Sequence, residues 1–402
     1  MQVTVYSAFN PINFQSLHSR TAMAPSKAKT KNLLMVADSE HDANMLYTVG
    51  MFVPDPFIYL RLSGREFIVM SDLEIDRARK QAPRCQVLPL SDYYQNLRSK
   101  GKTPDFAGVI QLILRENKTS SVFVPNNFPF GLATQLKNLG ISVKPELGNF
   151  IPEREIKTAD EVRKLTAALR MAEIGMAAGI EALKTSKVGK GNRLLHQNSP
   201  LTSEKLRSII DTAVLQAGGF AANTIVAGGR QGCDPHERGY GPLRANELII
   251  LDIFPRAQKT GYFGDITRTV VKGRATEAAR KLYDTVYAGQ KLAFTLMRAN
   301  TPTATVHEAV LSLFNKQGYK TGKIDGRMQG FFHGTGHGLG LEIHESPRVG
   351  ATSTGVLKAG QVITVEPGLY YSEIGGVRIE DVALITTGKS KNLTRFEKVL
   401  EV

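Results

Sequence analysis

Two patterns of hydrophobic and polar positions divide the 402-residue chain. In residues 32–150, short β-forming runs such as "NLLMVA" and "SVFVP" alternate with segments that repeat apolar residues at helical spacing, such as "DFAGVIQLILREN". The segment "DPFIYLRLSGREFIVMS" predicts two strands joined by a tight turn at Ser63 and Gly64. Strands that alternate with helices predict a layered α/β domain. Its sequence contains no metal-ligand cluster, phosphate loop or catalytic triad, so we expect it to cap a site or support assembly.

The pattern changes at "GNFIPEREIKTADE", whose glycine, proline and charged residues predict a boundary between two domains. Thr158 and Glu161 fit a capping box, and apolar residues at helical spacing then predict a long amphipathic helix. The residues on its apolar face are Val162, Leu165, Leu169, Ala172, Met176, Ile180 and Leu183. After a second predicted helix, "SEKLRSIIDTAVLQAGG", strands and glycine-rich turns dominate.

The composition is that of a globular protein, with 42% hydrophobic and 22% charged residues. No apolar run approaches the ~20 residues that span a bilayer, so we expect no membrane association. Cys85 and Cys233 form no CxxC motif, which predicts a cytoplasmic protein without a disulfide framework. The net charge of +14 is compatible with nucleic-acid binding, but Lys and Arg are spread along the chain, which favours an ordinary solvated surface.

The first residues have a composition of their own. Residues 1–37 contain no acidic residue, four Lys or Arg and several Ser or Thr, as transit segments do, but they lack the apolar stretch of a secretory signal. Met23 offers an alternative start. We expect residues 1–31 to be a short disordered extension, with a transit segment as the alternative.

Acidic residues within apolar strands give the first indication of chemistry. Two β-rich arms, "LIILDIF" and "GDITRTVV", contain one aspartate each, Asp252 and Asp265, and a hairpin would place the two carboxylates side by side. A charged group in a strand is costly unless it is paired or bound to a metal. Each aspartate therefore either bonds an arginine such as Arg268 or belongs to a metal site.

Residues 360–386 repeat this plan with glutamates. An apolar strand ends at Glu366, a glycine-rich turn follows, and a second strand contains Glu380. Four carboxylates in one pocket would repel each other and could not all ionise without cations, which two divalent metal ions would supply. With one imidazole added, this oxygen-rich set suits Mn²⁺, Co²⁺ or Fe²⁺ better than a thiolate or three-histidine zinc site does.

The imidazole would come from "FFHGTGHGLGLEIHE", residues 331–345. Taken alone, this segment leaves three interpretations open: a metal cage, a phosphate-binding glycine loop, or a strand with buried histidines. Its glycines lack the Lys-Ser/Thr that follows in a P-loop.

Four motifs, "GYFGDITRT", "HGTGHGLGLEIHE", "ITVEPGLY" and "VRIEDVALI", together resemble the pita-bread metallopeptidases, the family of proline dipeptidase, aminopeptidase P, methionine aminopeptidase and creatinase. The resemblance covers residues 32–402. It implies an α/β creatinase-like N-terminal domain over residues 32–150. It also implies an α+β pita-bread catalytic domain over residues 155–402, with a curved antiparallel sheet and a pseudo-twofold repeat. We expect a homodimer.

The resemblance implies a centre of two divalent ions, Mn²⁺ foremost, with Co²⁺, Fe²⁺ or Zn²⁺ as alternatives. Asp252 would bind one ion, His337 the other, and Asp265 and Glu380 would bridge the pair. Glu366 would be a further ligand, near the attacking water, and the general base.

The resemblance also implies residues that act on the substrate. His333 and His344 would contact the substrate and the developing oxyanion. His236 matches a family histidine that lies upstream of the first aspartate. Arg378 matches an active-site arginine, and Tyr370 matches a tyrosine of the family's "EPGLY" segment.

One feature departs from the family pattern. Asp252 and Asp265 are 13 positions apart, two more than is usual, and "IFPR" follows Asp252 where a glycine is common two positions on. Two extra residues at a hairpin tip preserve which way each strand residue faces. We therefore expect an intact metal site and altered substrate contacts near the tip.

The resulting prediction is a dinuclear metal-dependent exopeptidase that hydrolyses Xaa-Pro bonds with a metal-bridged hydroxide, of the aminopeptidase P or proline dipeptidase type. Its peptide substrate would have proline at the second position. The five intact ligand positions argue against creatinase-like C–N hydrolysis. The alternative is a non-catalytic pita-bread protein that binds nucleic acid or protein partners. Cys233 and His307 are expected to be ordinary structural residues.

Overall fold

The computed structural model describes residues 31–402. The extension predicted over residues 1–31 lies outside the described residues, except for Lys31. The helices of the described part are α1 (Ala43–Val49), α2 (Ile75–Gln81), α3 (Leu90–Ser99), α4 (Phe106–Glu116), α5 (Phe130–Asn138), α6 (Ala159–Thr185), α7 (Ser203–Gln216), α8 (Glu277–Leu296) and α9 (Thr303–Lys316).

The strands from residue 31 to residue 257 are β1 (Leu33–Ala37), β2 (Phe57–Leu62), β3 (Arg65–Met70), β4 (Gln86–Pro89), β5 (Ser121–Val124), β6 (Ser142–Pro145), β7 (Lys187–Val188), β8 (Leu194–His196), β9 (Ser199–Pro200), β10 (Gly219–Phe220), β11 (Ile225–Gly228), β12 (Leu248–Ile253) and β13 (Arg256–Ala257). The remaining strands are β14 (Ile266–Val271), β15 (Gly322–Ile324), β16 (Arg327–Gln329), β17 (Gly336–Gly338), β18 (Glu345–Val349), β19 (Val362–Val365), β20 (Gly368–Tyr371), β21 (Gly375–Arg378), β22 (Asp381–Leu384) and β23 (Lys391–Asn392).

The N-terminal region is built on one mixed six-stranded sheet with the order β4-β3-β2-β1-β5-β6. β2 and β3 pair antiparallel, with Leu62 opposite Arg65. The two residues between them, Ser63 and Gly64, have φ angles of 51° and 83°, as a two-residue turn of the favoured hand requires. The predicted hairpin and the α/β class of this domain are confirmed.

Helix α6 begins at the predicted capping box. The Thr158 hydroxyl accepts a hydrogen bond from the Glu161 backbone N–H, and the Glu161 carboxylate accepts one from the Thr158 backbone N–H. All seven residues of the predicted apolar face are buried. The helix therefore packs into the protein core with the face that its sequence pattern indicates.

The C-terminal region consists of two similar halves. In the first half, α6 and α7 pack beside the sheet β11-β12-β14; in the second half, α8 and α9 pack beside the sheet β18-β17-β19-β22-β23. An Ala-Gly pair lies at each helix crossing. A Cβ atom on Gly179 would lie 2.9 Å from Ile210 of α7, and one on Gly289 would lie 2.5 Å from Phe314 of α9. This repeat, with the α/β domain before it, is the predicted pita-bread architecture.

The second acidic segment differs from the prediction in one respect. The glycine-rich turn expected between Glu366 and Glu380 is a hairpin of its own, formed by β20 and β21. As a result, Glu366 lies just after β19 and Glu380 just before β22. Val365 is opposite Asp381 in the β19–β22 ladder, so the two glutamates leave the ladder at the same end.

Within residues 31–402, no helix is long and apolar enough to cross a membrane. The domain limits at residues 150 and 155 stay predictions.

Candidate metal centre

The two aspartates lie on one face of the hairpin formed by β12 and β14. Asp252 is opposite Thr267, and Asp265 comes two residues before Thr267, just ahead of β14. Because side chains alternate along a strand, both carboxylates face the same side. The long connection between the strands includes β13, which pairs with β10. As expected, the two extra residues in this connection leave both aspartates on the same face of the hairpin.

Both aspartates line a cavity of about 610 Å³. Every residue that the sequence assigned to a metal or catalytic role also lines it: His236, Asp252, Asp265, His333, His337, His344, Glu366, Arg378 and Glu380. Tyr370 lies behind this wall, and its hydroxyl is 2.9 Å from a nitrogen of His333 and 2.9 Å from one of Arg378. The fold thus brings the predicted residues together, while their individual roles stay proposals.

The centre of the cavity has the ligand types of a metal site. Asp265, His337 and Glu380 each offer one ligand atom, and these atoms lie within 4.8 Å of one another. The His337 Nε2 atom lies 3.2 Å from Glu366 Oε1 and 3.9 Å from Asp265 Oδ2. One imidazole nitrogen therefore faces two carboxylates.

The protonation of His337 makes this arrangement informative. Its Nδ1 atom lies 3.1 Å from the Gly338 carbonyl oxygen, which can only accept, so Nδ1 carries the proton. Burial lowers the pKa of His337 to about 3, so the ring is neutral and Nε2 presents a lone pair to the carboxylates. When these carboxylates are ionised, their oxygens and the lone pair repel each other unless a cation lies between them. Histidine ligands of metals characteristically donate their other N–H in this way.

The electrostatics of the carboxylates also favours bound cations. Burial, followed by repulsion from neighbouring carboxylates, raises the pKa of Asp265 and of Glu380 well above the ordinary values. Within residues 31–402, the buried Asp252 Oδ1 and Glu380 Oε1 atoms have no hydrogen-bond partner. Unpartnered buried carboxylate oxygens are strongly unfavourable. The residues present therefore fit a divalent metal centre.

Arg378 joins the two halves of the site. It is buried and donates to Asp252 Oδ2 at 2.7 Å and to the Tyr370 hydroxyl at 2.9 Å. Asp252 thus keeps one oxygen on an arginine and leaves the other for a metal. Of the two possibilities that the sequence left open for this aspartate, pairing with an arginine is observed for one oxygen, and metal binding by the other stays a prediction.

The arginine named as a possible partner of the aspartates was the wrong one. Arg268 forms a buried ion pair with Asp381 at 2.9 Å and donates to the Glu380 carbonyl oxygen at 2.6 Å. It faces away from Asp252 because adjacent residues of β12 and β14 alternate between the two faces of the sheet. Its contacts hold the backbone next to Glu380.

His236 and His344 lie on the open side of the cavity, and both are exposed. The His344 ring is edge-on to His337, with the ring centroids 4.4 Å apart. Partial burial and the nearby Arg348 lower the pKa of His344, so it is a neutral ring near pH 7. Both histidines are placed where a substrate would enter.

Sequence reasoning did not assign several residues of the cavity wall, and Arg348 and Phe254 are two of them. Arg348, on β18, is opposite His337 in the sheet and lines the cavity mouth. Phe254, in the unusual "IFPR" segment, contributes an apolar wall. The only signals in the sequence were the proximity of Arg348 to His344 and the departure from the family pattern after Asp252.

Two other ionisable residues are structural, as expected. His307 is buried on α9, with Nδ1 3.1 Å from the Thr335 hydroxyl. Cys233 is buried against Ile250 and Tyr370.

A pita-bread fold with a buried carboxylate and imidazole centre defines the class of metallopeptidases. Residues 163–387, more than half of the chain, match the sequence model of Metallopeptidase family M24, and the chain belongs to this family. It is 32% identical over 248 residues to an Xaa-Pro dipeptidase of Pyrococcus furiosus; the match covers 61% of this chain and 65% of that relative, slightly under two thirds of its length.

Two solved structures share the fold over 92% of the chain. An Xaa-Pro dipeptidase from Bacillus anthracis has a TM-score of 0.77 at 21% identity, over 95% of its own chain. An X-Pro aminopeptidase from Thermotoga maritima has a TM-score of 0.77 at 19% identity, over 97% of its own chain. The equal scores mean that the fold does not separate a dipeptidase from an aminopeptidase.

Proposed function

We propose that this chain is a dinuclear metal-dependent exopeptidase that hydrolyses Xaa-Pro peptide bonds. The observation that supports this most is the His337 lone pair directed at buried carboxylates. The residues that would hold two divalent ions are Asp252, Asp265, His337, Glu366 and Glu380. Mn²⁺ is the first candidate, with Co²⁺, Fe²⁺ or Zn²⁺ as alternatives. When bound, such ions supply a water of lowered pKa and polarise the scissile carbonyl group.

Glu366 is the general base of this proposal. Burial is the largest effect on its carboxyl group, and it raises the pKa to about 7 although Arg378 opposes the shift. A carboxylate that lies beside the attacking water can accept a proton from it and return that proton later. Glu366 would take a proton from the attacking water and return it to the departing proline nitrogen.

His333 would have a narrower role than the resemblance implied. Its Nδ1 atom donates to the Gly334 carbonyl oxygen at 2.8 Å. Burial lowers its pKa to about 3, so the neutral ring accepts at Nε2 from the Tyr370 hydroxyl at 2.9 Å. Because both nitrogens are engaged, His333 would orient Tyr370, and contact with the oxyanion would fall to His236 and His344.

Two features at the cavity mouth bear on peptide length. The exposed guanidinium of Arg348 would bind the free C-terminal carboxylate of an Xaa-Pro dipeptide, which favours a dipeptidase. A second cavity of about 400 Å³ shares His344 and Arg348 with the first and would accept a longer peptide, which favours an aminopeptidase P type. Its wall includes the amide side chains of Asn44, Asn126, Asn127 and Asn149.

The test supplies Mn²⁺ or Co²⁺ and compares Xaa-Pro dipeptides with Xaa-Pro-Xaa tripeptides. Cleavage of dipeptides alone, lost in Arg348→Gln, would identify a dipeptidase; efficient cleavage of tripeptides would identify the aminopeptidase P type. If protein with two bound ions hydrolysed neither, the proposal would fail and a non-catalytic binding protein would be favoured. The homodimer, the cytoplasmic location and the absence of a nucleic-acid partner stay predictions.

A further inference from the structure

A side chain outside the predicted site contacts the backbone of the residue before each glutamate. Gln290 lies on α8 and is 1% exposed. Its single side-chain nitrogen donates to the Val365 carbonyl oxygen at 3.2 Å and to the Ile379 carbonyl oxygen at 3.1 Å. Val365 directly precedes Glu366, and Ile379 directly precedes Glu380.

These two carbonyl groups lie where the regular sheet ends. The β19–β22 ladder stops at Val365 and Asp381, and the chain then turns into the β20–β21 hairpin through Pro367, which has no N–H to donate. A buried carbonyl group without a donor is unfavourable, and both Val365 and Ile379 are fully buried. The Gln290 amide group thus gives both carbonyl oxygens a hydrogen-bond donor. It thereby holds Val365 and Ile379 at a fixed distance from each other.

The first half of the repeat supports this interpretation by contrast. The residue after its Ala-Gly pair is Ile180, whereas the residue after the second pair is Gln290. Ile180 packs in an apolar cluster, and Asp252 of the same half lies inside a continuous ladder, whose backbone groups pair within the sheet. The polar residue is present only in the half where the ladder is interrupted.

We infer that Gln290 is a positioning residue that holds Glu366 and Glu380 at the separation which metal binding requires. This inference rests on the proposed metal centre. Loss of a hydrogen-bond partner behind metal ligands typically weakens metal binding about 10–100-fold.

The test replaces Gln290 by methionine, which has a similar volume and no donor. Gln111→Met is the matched control, because Gln111 is a buried amide on α4 that donates to the Leu139 carbonyl oxygen at 3.0 Å in the other domain. Both variants and the wild type are stripped of metal and titrated with Mn²⁺ by calorimetry. We expect about 10–100-fold weaker binding in Gln290→Met and unchanged binding in Gln111→Met.

The outcomes separate the two proposals. Wild-type affinity for two ions in Gln290→Met would overturn the role of Gln290 and leave the metal centre intact. A wild type that binds no Mn²⁺ would overturn the metal centre itself. If Gln290→Met does not fold, Gln290→Asn, which keeps the donor but is too short to reach both carbonyl groups, is titrated with the same expected and contradicting results.

Discussion

In the C-terminal region, both halves place two carboxylates in the same cavity, but the backbone that carries these carboxylates is held differently in each half. In the first half, Asp252 lies within a continuous two-stranded ladder and Asp265 immediately precedes its second strand. In the second half, Glu366 and Glu380 lie beyond the end of the ladder. Their backbone N–H groups donate to the carbonyl oxygens of Thr335 and Thr267 at 2.9 and 3.1 Å. A regular sheet orients the carboxylates of one half, whereas individual hydrogen bonds orient those of the other.

The difference shows that a repeat can keep its geometry while its local support changes. Longer side chains in the second half reach the cavity from an interrupted backbone. That interruption also lets Arg378 cross to Asp252. We therefore expect ligands in both halves to matter equally, and supporting residues to matter mainly in the second.

The largest effect is expected from removing a ligand in either half. Asp265→Asn and Glu380→Gln should each lower kcat/KM for an Xaa-Pro dipeptide by more than the roughly 100-fold that loss of a ligand's supporting partner produces. The physical reason is that a neutral amide would not replace the anionic carboxylate that the proposed centre of two cations requires. Steady-state kinetics with Mn²⁺ measures this, and unchanged activity in either variant would refute the dinuclear centre.

A smaller effect is expected from removing the hydrogen bond by which Arg378 of the second half contacts Asp252 of the first half. Arg378→Met leaves Asp252 Oδ2 without its 2.7 Å donor and should lower kcat/KM about 10–100-fold. Arg378→Lys, which keeps the charge but not the forked donors, should fall between Arg378→Met and the wild type. If methionine and lysine had the same activity as arginine, the connection would have no role.

A moderate effect on hydrolysis is expected when the contact between the segment that carries His344 and the segment that contains Arg154 and Lys157, which joins the two domains, is weakened. Glu345 is buried with Lys157 at 2.8 Å and also bonds Arg154. Glu345→Gln should weaken this contact and lower kcat/KM severalfold. Glu342→Gln is the control, because Glu342 pairs with the same arginine from an exposed position and such pairs contribute little.

The same variant should change stability at acid pH. Burial alone would raise the pKa of Glu345, but Lys157 and Arg154 outweigh it and lower the pKa. The stabilising contribution is therefore present above the unfolded pKa of about 4.3 and is lost as pH falls through the lower folded value. Urea unfolding at several pH values should show a flatter acid limb for Glu345→Gln than for the wild type. Parallel curves would contradict the ion pair.

The smallest effect on hydrolysis is expected when Ile180, which packs in the apolar cluster of the first half, is replaced. Ile180→Gln buries an amide where the ladder offers no unpaired carbonyl group, which should lower the free energy of unfolding by about 1–3 kcal/mol. Mn²⁺ affinity and kcat/KM should stay at wild-type values. Weaker metal binding in this variant would mean that the two halves are supported alike.

Local patterns in the sequence predicted most of the fold. The Ser63–Gly64 turn, the capping box at Thr158 and the buried face of α6 follow from residues that are close in the chain. The convergence of the site followed from the spacing of acids within strands and from the family resemblance. These features depend on short-range chemistry, which a single sequence contains.

The choice of long-range partners was beyond the sequence. Arg268 pairs with Asp381, 113 positions away, and Gln290 contacts carbonyl groups 75 and 89 positions away. The β20–β21 hairpin was missed because its glycines resemble an open turn. Such contacts depend on how the two halves pack, which periodicity and spacing do not specify.

The number of Mn²⁺ ions bound by the metal-free wild type tests the central claim most directly. Titration calorimetry near neutral pH should give two ions per chain. Two divalent cations would offset the mutual repulsion of four closely placed carboxylates and would bind the lone pair of the neutral imidazole. A stoichiometry of zero or one ion per chain would contradict the dinuclear centre.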